Sequence, residues 1–177
     1  MKKFLINVYL IIIAYVIYFL QSNFFNWFTI ANVMPNLFII FVLFVGLFGN
    51  KLMGTIYGMV IGLILDVLFA NNIGVSFITL GLVGFASTIF DRNFSKDSRF
   101  TIMLMVAGLT IFYEVIFYFA NYFIASSSME ILAFIKILLI EVIYNVILTI
   151  ILYPLMQKFG YTIENEFKGN KILTRYF

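Results

Sequence analysis

Apolar residues fill this chain in long runs that are separated by short polar or charged stretches. A helix needs roughly 20 apolar residues to cross a membrane. Lipid forces each backbone group to find its partner within the segment, so runs of this length predict helices rather than irregular chain. The alternating pattern of a membrane barrel strand does not occur in them. The predicted spans are residues 4–20, 35–48, 52–70, 73–90, 100–124 and 131–156.

Composition supports a membrane-embedded chain. Of the 177 residues, 64% are hydrophobic and only 11% are charged, whereas a soluble domain is about a quarter charged. The chain has too few polar residues to cover a surface in water. We therefore predict an all-α integral membrane protein with one six-helix domain over residues 1–158 and a cytoplasmic tail over residues 159–177.

The distribution of positive charge predicts the orientation. With six spans, both termini lie on the same side as the loops at 49–51 and 91–99, and that side carries ten of the 11 Lys and Arg residues. Only Lys136, at the start of the sixth span, is left over. The positive-inside rule then places both termini in the cytoplasm. Topology accounts for the net charge of +3, which therefore does not indicate a nucleic-acid partner.

The segment between the first two spans, residues 22–33, is uncharged and rich in aromatic residues. Phe24, Phe25, Trp27 and Phe28 are typical of side chains that anchor a protein at the membrane–water interface. The pattern indicates a short helix at the membrane surface or a re-entrant piece.

The third span carries Gly54, Gly58 and Gly62 at intervals of four, followed by Asp66 at the same interval. Small residues at this spacing let another helix approach closely, and Gly74 is assigned to helix packing with them. An acidic group in a span is costly and usually faces the bundle interior. Asp66 either ties the span to the following turn, by accepting its N–H groups or in a protonated form, or binds a partner, or serves ligand or proton transport.

Two further acids lie inside predicted spans. Glu114 shares a helix face with Asn121, and Glu141 shares one with Asn145. The two faces could meet in the bundle and hydrogen-bond between helices. An ion or ligand site between the fifth and sixth spans is the alternative.

The residue types also restrict the chemistry. The chain has no His and no Cys, which removes imidazole catalysis, thiolate chemistry and the common transition-metal ligands. It contains no phosphate-binding loop and no nucleophile motif. We therefore predict no catalytic residue, no cofactor and no metal site.

The order of these features resembles the MreD family of bacterial rod-shape-determining proteins. The shared features begin with Pro35-Asn36 before the second span and Lys51 in a short turn. They continue with the glycine-rich third span ending in Leu65-Asp66 and the turn closing on Gly74. The sixth span adds Asn145 and Tyr153-Pro154-Leu155.

This resemblance implies a non-enzymatic component of the cell-elongation machinery in the bacterial plasma membrane. It implies binding to an MreC-like single-span protein and, through it, to MreB filaments and peptidoglycan synthases. It also implies a fold like that of the S components of energy-coupling-factor transporters. A ligand-binding transporter subunit of that kind is the alternative function, although the lone Ala14 in the first span argues against the docking pattern of such subunits.

Overall fold

The structure, a computed structural model, describes residues 2–69, 74–125 and 130–168. The sequence also predicts a turn at Asn71-Asn72 and a polar turn at residues 125–130. The first of these, most of the second and the end of the tail lie outside the described ranges. The described residues are helical almost throughout. The helices are α1 Lys2–Phe19, α2 Leu37–Phe48, α3 Met53–Phe69, α4 Val75–Asn93, α5 Arg99–Ala125 and α6 Ile131–Phe167.

Three of these helices are long and apolar enough to cross a membrane. They are α1 with its extension, over Lys2–Phe24, α5 over Arg99–Phe123, and α6 over Ile131–Phe167. Helices α2, α3 and α4 are apolar but shorter. The all-helical membrane class is therefore shown, whereas the count of six spans and the likeness to S components stay predictions.

Helix α2 is the centre of the bundle. Its sequence LFIIFVLFVGLF is apolar on every side, which is typical of a helix enclosed by protein. All 12 of its residues are buried, and it contacts each of the other five helices. The exposed apolar side chains lie instead on the surrounding helices, including Tyr15 of α1 and Leu104 of α5.

The glycine stripe of α3 packs directly against the backbone of α4. A Cβ atom added at Gly58 would lie 2.2 Å from the carbonyl oxygen of Leu80, and one at Gly62 would lie 2.2 Å from that of Ser76. Real Cβ atoms essentially never approach closer than 3.0 Å. Only glycine permits this spacing between the two helices, so the stripe predicted for close packing contacts the chain's own helices.

Three glycines bring α2, α3 and α4 together at one point. A Cβ atom at Gly54 of α3 would lie 2.7 Å from the Cα atom of Gly46 in α2. One at Gly84 of α4 would lie 2.1 Å from the carbonyl oxygen of Gly54. Each backbone therefore occupies the space that a side chain of its neighbour would need.

Gly74 differs from the packing glycines, and its assignment to helix packing is corrected here. Among the described residues, no atom lies within 4 Å of a Cβ atom placed on it. Its φ of 106° lies in the left-handed region, which glycine adopts without steric cost. Gly74 therefore shapes the turn before α4 rather than a helix contact.

Of the two interpretations of the aromatic segment, the separate short helix does not form, and the re-entrant piece stays a prediction. A π-helical turn at Leu20–Phe24 extends α1, and turns follow. Ile30 and Val33 then exchange backbone hydrogen bonds of 3.0 and 2.9 Å around two residues with positive φ, the geometry of a tight hairpin turn. Trp27 is 89% exposed, as an interfacial anchor requires.

Helix α6 does not end near residue 156 but continues through Pro154 to Phe167. Membrane helices tolerate an internal proline because neighbouring groups satisfy the freed carbonyl. Its buried residues recur every three or four positions, which keeps one stripe turned towards the bundle. They are Glu141, Asn145, Thr149, Tyr153, Met156, Gly160 and Ile163.

Gly62→Ala and Gly108→Ala form a matched pair that tests the backbone contact. The added methyl at Gly62 meets the Ser76 carbonyl, so we expect a loss of about 1–3 kcal/mol of stability. Among the described residues nothing lies within 4 Å of a Cβ atom at Gly108, so there the better helix propensity should stabilise α5 by up to about 1 kcal/mol. Thermal unfolding in one detergent measures both, and equal shifts would contradict the close contact.

Candidate functional site

Asp66 caps helix α4 from the neighbouring helix α3. The side chain is 1% exposed. Its Oδ2 accepts the backbone N–H groups of Gly74 at 2.8 Å and Phe77 at 3.0 Å, and its Oδ1 accepts that of Ser76 at 3.0 Å. The first N–H groups of a helix have no partner within the helix, and negative charge is favoured there. The geometry thus supports the interpretation in which Asp66 ties α3 to the following turn.

Asn145 joins three helices in the middle of the bundle. It is fully buried, and its Oδ1 accepts the backbone N–H of Asn36 just before α2, at 2.8 Å. Its Nδ2 donates to the Thr110 hydroxyl of α5 at 3.0 Å. Leu37, the first residue of α2, has no partner for its N–H within the helix, and this group donates to Gln21 Oε1 at 3.1 Å. Side chains from distant segments therefore cap the start of α2.

Glu114 of α5 and Glu141 of α6 lie close to each other between the two helices. The polar faces predicted on the fifth and sixth spans therefore come together in the bundle. Glu141 is 5% exposed and Glu114 is partly buried. Asn121, also partly buried, donates from Nδ2 to the Phe117 carbonyl of its own helix at 2.9 Å.

Glu114, Glu141 and Asn145 form a polar cluster between α5 and α6. A pocket of about 230 Å³ adjoins it at Glu141. Its walls come from the end of the α1 extension, the segment before α2 and the first part of α6. Glu141 lines it, together with Gln21 and Asn36. Among the predicted site residues, the cluster contains Glu114, Glu141 and Asn145, whereas Asp66 makes its bonds to the start of α4.

A charged cluster at the predicted cytoplasmic end was not expected from the sequence. Lys96 Nζ lies 2.9 Å from Asp91 Oδ1 and 2.5 Å from Glu164 Oε1, and Lys168 Nζ lies 2.6 Å from Asp91 Oδ2. Both ammonium groups also donate to the carbonyl oxygen of Leu47, at 3.2 and 2.7 Å. Cations are favoured at a helix C-terminus, so this cluster caps the end of α2.

From the sequence, Lys96 and Lys168 indicate only the orientation of the chain in the membrane. The available signal was the spacing of Glu164 and Lys168, which places them on one helix face. That spacing gives no indication of Asp91, which lies 77 residues from Lys168. The missing information was the continuation of α6 past Pro154, which carries both residues to the end of α2.

The cluster changes the pKa of two of its members, both outside the predicted spans. Burial acts to raise the pKa of Asp91, but hydrogen bonds from Lys168 and Lys96 outweigh it and hold the pKa below its usual value. Burial lowers the pKa of Lys168, against the opposing effect of the bond to Asp91. Asp91 is therefore ionised at neutral pH, with Lys96 and Lys168 beside it.

Within the described residues, no group of three or more His, Cys, Asp or Glu side chains could hold a metal ion. Asp66 and Asn145 bind other parts of the chain instead. The fold and these contacts define a helical membrane protein in which the buried polar groups mainly join helices.

Comparison with known proteins identifies the family. The family model for the rod shape-determining protein MreD matches residues 2–162, which is most of the 177-residue chain. The chain therefore belongs to the MreD family and is a membrane component that determines cell shape, in a family not known for enzymes. No curated protein and no solved structure matches it.

Asp66→Asn should destabilise the protein nearly as much as Asp66→Ala. Both carboxyl oxygens accept backbone N–H groups. In Asn one of these oxygens is replaced by an NH₂ group, which is itself a donor and cannot accept the N–H that faces it. Each variant leaves a buried N–H unsatisfied, at about 1–3 kcal/mol. Thermal unfolding and hydrogen exchange at Ser76 and Phe77 measure the loss. Glu130→Gln, at an exposed acid, is the control, and wild-type stability in Asp66→Asn would exclude the cap.

The charged cluster should make stability sensitive to acid. A carboxyl with a lowered pKa stabilises the fold above its ordinary pKa, and that contribution disappears as the pH falls through the lower value in the folded state. We expect wild type to lose stability below about pH 4. Asp91→Asn should be less stable at neutral pH, and its stability should change less as the pH falls below this value. Thermal unfolding against pH in a non-ionic detergent compares them. If stability falls with pH in the same way in wild type and in Asp91→Asn, Asp91 does not have the lowered pKa described above.

Proposed function

We propose that this chain is a non-enzymatic scaffold of the bacterial cell-elongation complex that binds an MreC-like single-span protein. The observation that carries the proposal is the family match over residues 2–162. Through that partner it would act with MreB and the peptidoglycan synthases. The excess of Lys and Arg on one side supports a plasma-membrane location with both termini in the cytoplasm.

The internal contacts restrict where such a partner could bind. Gly58 and Gly62 face the chain's own helix α4, and Asp66 is used at the start of that helix. The partner must therefore use another surface. Helix α1 is the least enclosed, because Leu10 is the one buried residue among its 18. We infer that the partner helix lies along the outer face of α1.

Several properties of α1 favour a helical partner over lipid alone. Its outer face combines exposed apolar residues with the tyrosines Tyr9 and Tyr15, which are 66% and 68% exposed. A tyrosine can pack its ring against a neighbouring helix and still donate a hydrogen bond from its hydroxyl. In a membrane, close packing and interhelical hydrogen bonds drive association, because burial from water is already complete.

A ligand-binding subunit resembling an S component is the second candidate. One observation favours it, namely the polar pocket lined by Glu141. Such a subunit would retain a vitamin-sized ligand on purification and be stabilised by it on heating. The two candidates therefore predict different molecules in the purified sample.

Single-cysteine crosslinking in native membranes tests the scaffold. The chain has no cysteine, so each introduced thiol reports one position. We expect Val16→Cys, at a position 47% exposed on α1, to crosslink the MreC-like protein, which should also co-purify. Leu43→Cys, at a buried position of α2, is the control and should give no product.

Two further positions show which helix meets the partner. Val60→Cys on α3 and Ile143→Cys on α6 replace side chains that are 52% and 60% exposed. Crosslinks from either of these positions, and none from Val16→Cys, would place the partner on α3 or α6 instead of α1. The proposed scaffold function would still hold. Absence of crosslinks at every exposed position, together with no co-purification, would reject the proposed function.

A further inference from the structure

The pocket beside the start of α2 has an unusual lining. Gln21, Asn32 and Asn36 contribute amides, and Glu141 contributes a carboxyl group. Its volume of about 230 Å³ is several times the roughly 30 Å³ that one water molecule occupies in the liquid. The pocket therefore has room for a small chemical group, not only for a single water molecule.

Two buried acceptor atoms at this pocket lack a partner. Within the described part of the chain, neither Glu141 Oε1 nor Asn36 Oδ1 has a hydrogen-bond donor. Glu141 is 5% exposed, so it belongs to the enclosed wall rather than to the rim. Buried polar atoms are nearly always paired in folded proteins, and an unpaired one calls for an explanation. Both atoms are therefore available to a ligand that carries hydrogen-bond donors.

The charge of the pocket narrows the class of ligand. Glu141 is the one ionisable residue among the described residues that line it. Its neighbour along the helix, Lys136, is exposed and does not line the pocket. The described residues that line the pocket include no basic group that could pair with an anion. A cation with N–H donors can instead donate to the carboxyl group of Glu141 and to the amide oxygen of Asn36, and hydrogen bonds between a cation and a carboxyl group are among the stronger ones.

We propose that this pocket binds a primary ammonium group, which donates to Glu141 Oε1 and Asn36 Oδ1. The group could belong to a phosphatidylethanolamine head group or to a small free amine. The adjoining segment carries exposed Phe24, Trp27 and Phe28, and aromatic side chains of this kind concentrate at the level of lipid head groups. This site goes beyond the scaffold function, because it involves no partner protein.

The test compares ammonium groups that differ only in their N–H donors. Purified full-length protein is heated with ethanolammonium chloride or with tetramethylammonium chloride, which has the charge but no N–H. In parallel, the protein is placed in nanodiscs containing phosphatidylethanolamine or phosphatidylcholine, and native mass spectrometry counts the retained lipid. We expect stabilisation by ethanolammonium alone, retention of phosphatidylethanolamine alone, or both.

A matched pair of variants locates the site. Glu141→Gln keeps the shape of the side chain but replaces the carboxyl group with an amide that cannot pair with a cation, and we expect amine affinity to fall by about tenfold. Glu166→Gln is the same change on the same helix, at a residue whose partner is the exposed Lys2, and it should bind as wild type does. If Glu141→Gln does not fold, the wild-type comparison of the probes still decides.

The outcomes separate the two sources. Retained phosphatidylethanolamine identifies a lipid head group, and stabilisation by ethanolammonium without lipid retention identifies a free amine. The proposal would be overturned if ethanolammonium and tetramethylammonium stabilised the protein equally and phosphatidylethanolamine and phosphatidylcholine were retained equally. The pocket would then hold only water. Undiminished binding in Glu141→Gln would overturn it as well.

Discussion

The two ends of helix α2 lie inside the protein, and their free backbone groups can be satisfied only by other parts of the chain. With 12 residues, all buried, the helix is too short to carry its ends into water. Side chains from the α1 extension and α6 therefore complete its start, and two lysines complete its end. Asp66 does the same for the start of α4. These caps fix which segments must surround α2, and the remaining packing follows.

This requirement explains why an apolar chain contains buried charge. Placing an acid in a membrane helix costs about 2.5–3.5 kcal/mol on insertion scales. Asp66 offsets that cost by binding three N–H groups that would otherwise be unsatisfied. It can reach them only because α3 and α4 touch through glycine, with Gly62 directly against Ser76. The glycine stripe and the acid are thus two parts of one arrangement.

Local features of the sequence predicted much of this fold. Apolar runs gave the helices, and the position of Asp66 before a turn indicated a link to that turn. The sixth span is predicted to end near Pro154, whereas the helix itself continues to Phe167, which the sequence did not indicate. The pairing of Asn145 with Thr110, 35 residues away, depends on how helices rotate against one another. Periodicity identifies the inward face of each helix but not the opposing residue, so the charged cluster could not be predicted.

The cap at the end of α2 has a consequence for the order of assembly. The Leu47 carbonyl is made early in synthesis, but Lys96 follows 49 residues later and Lys168 follows 121 residues later. Chains fold largely from the N-terminus while they are being made. The cap at the end of α2 is therefore complete only after residue 168 has been made, and a chain that stops before that point leaves the Leu47 carbonyl without the Lys168 donor.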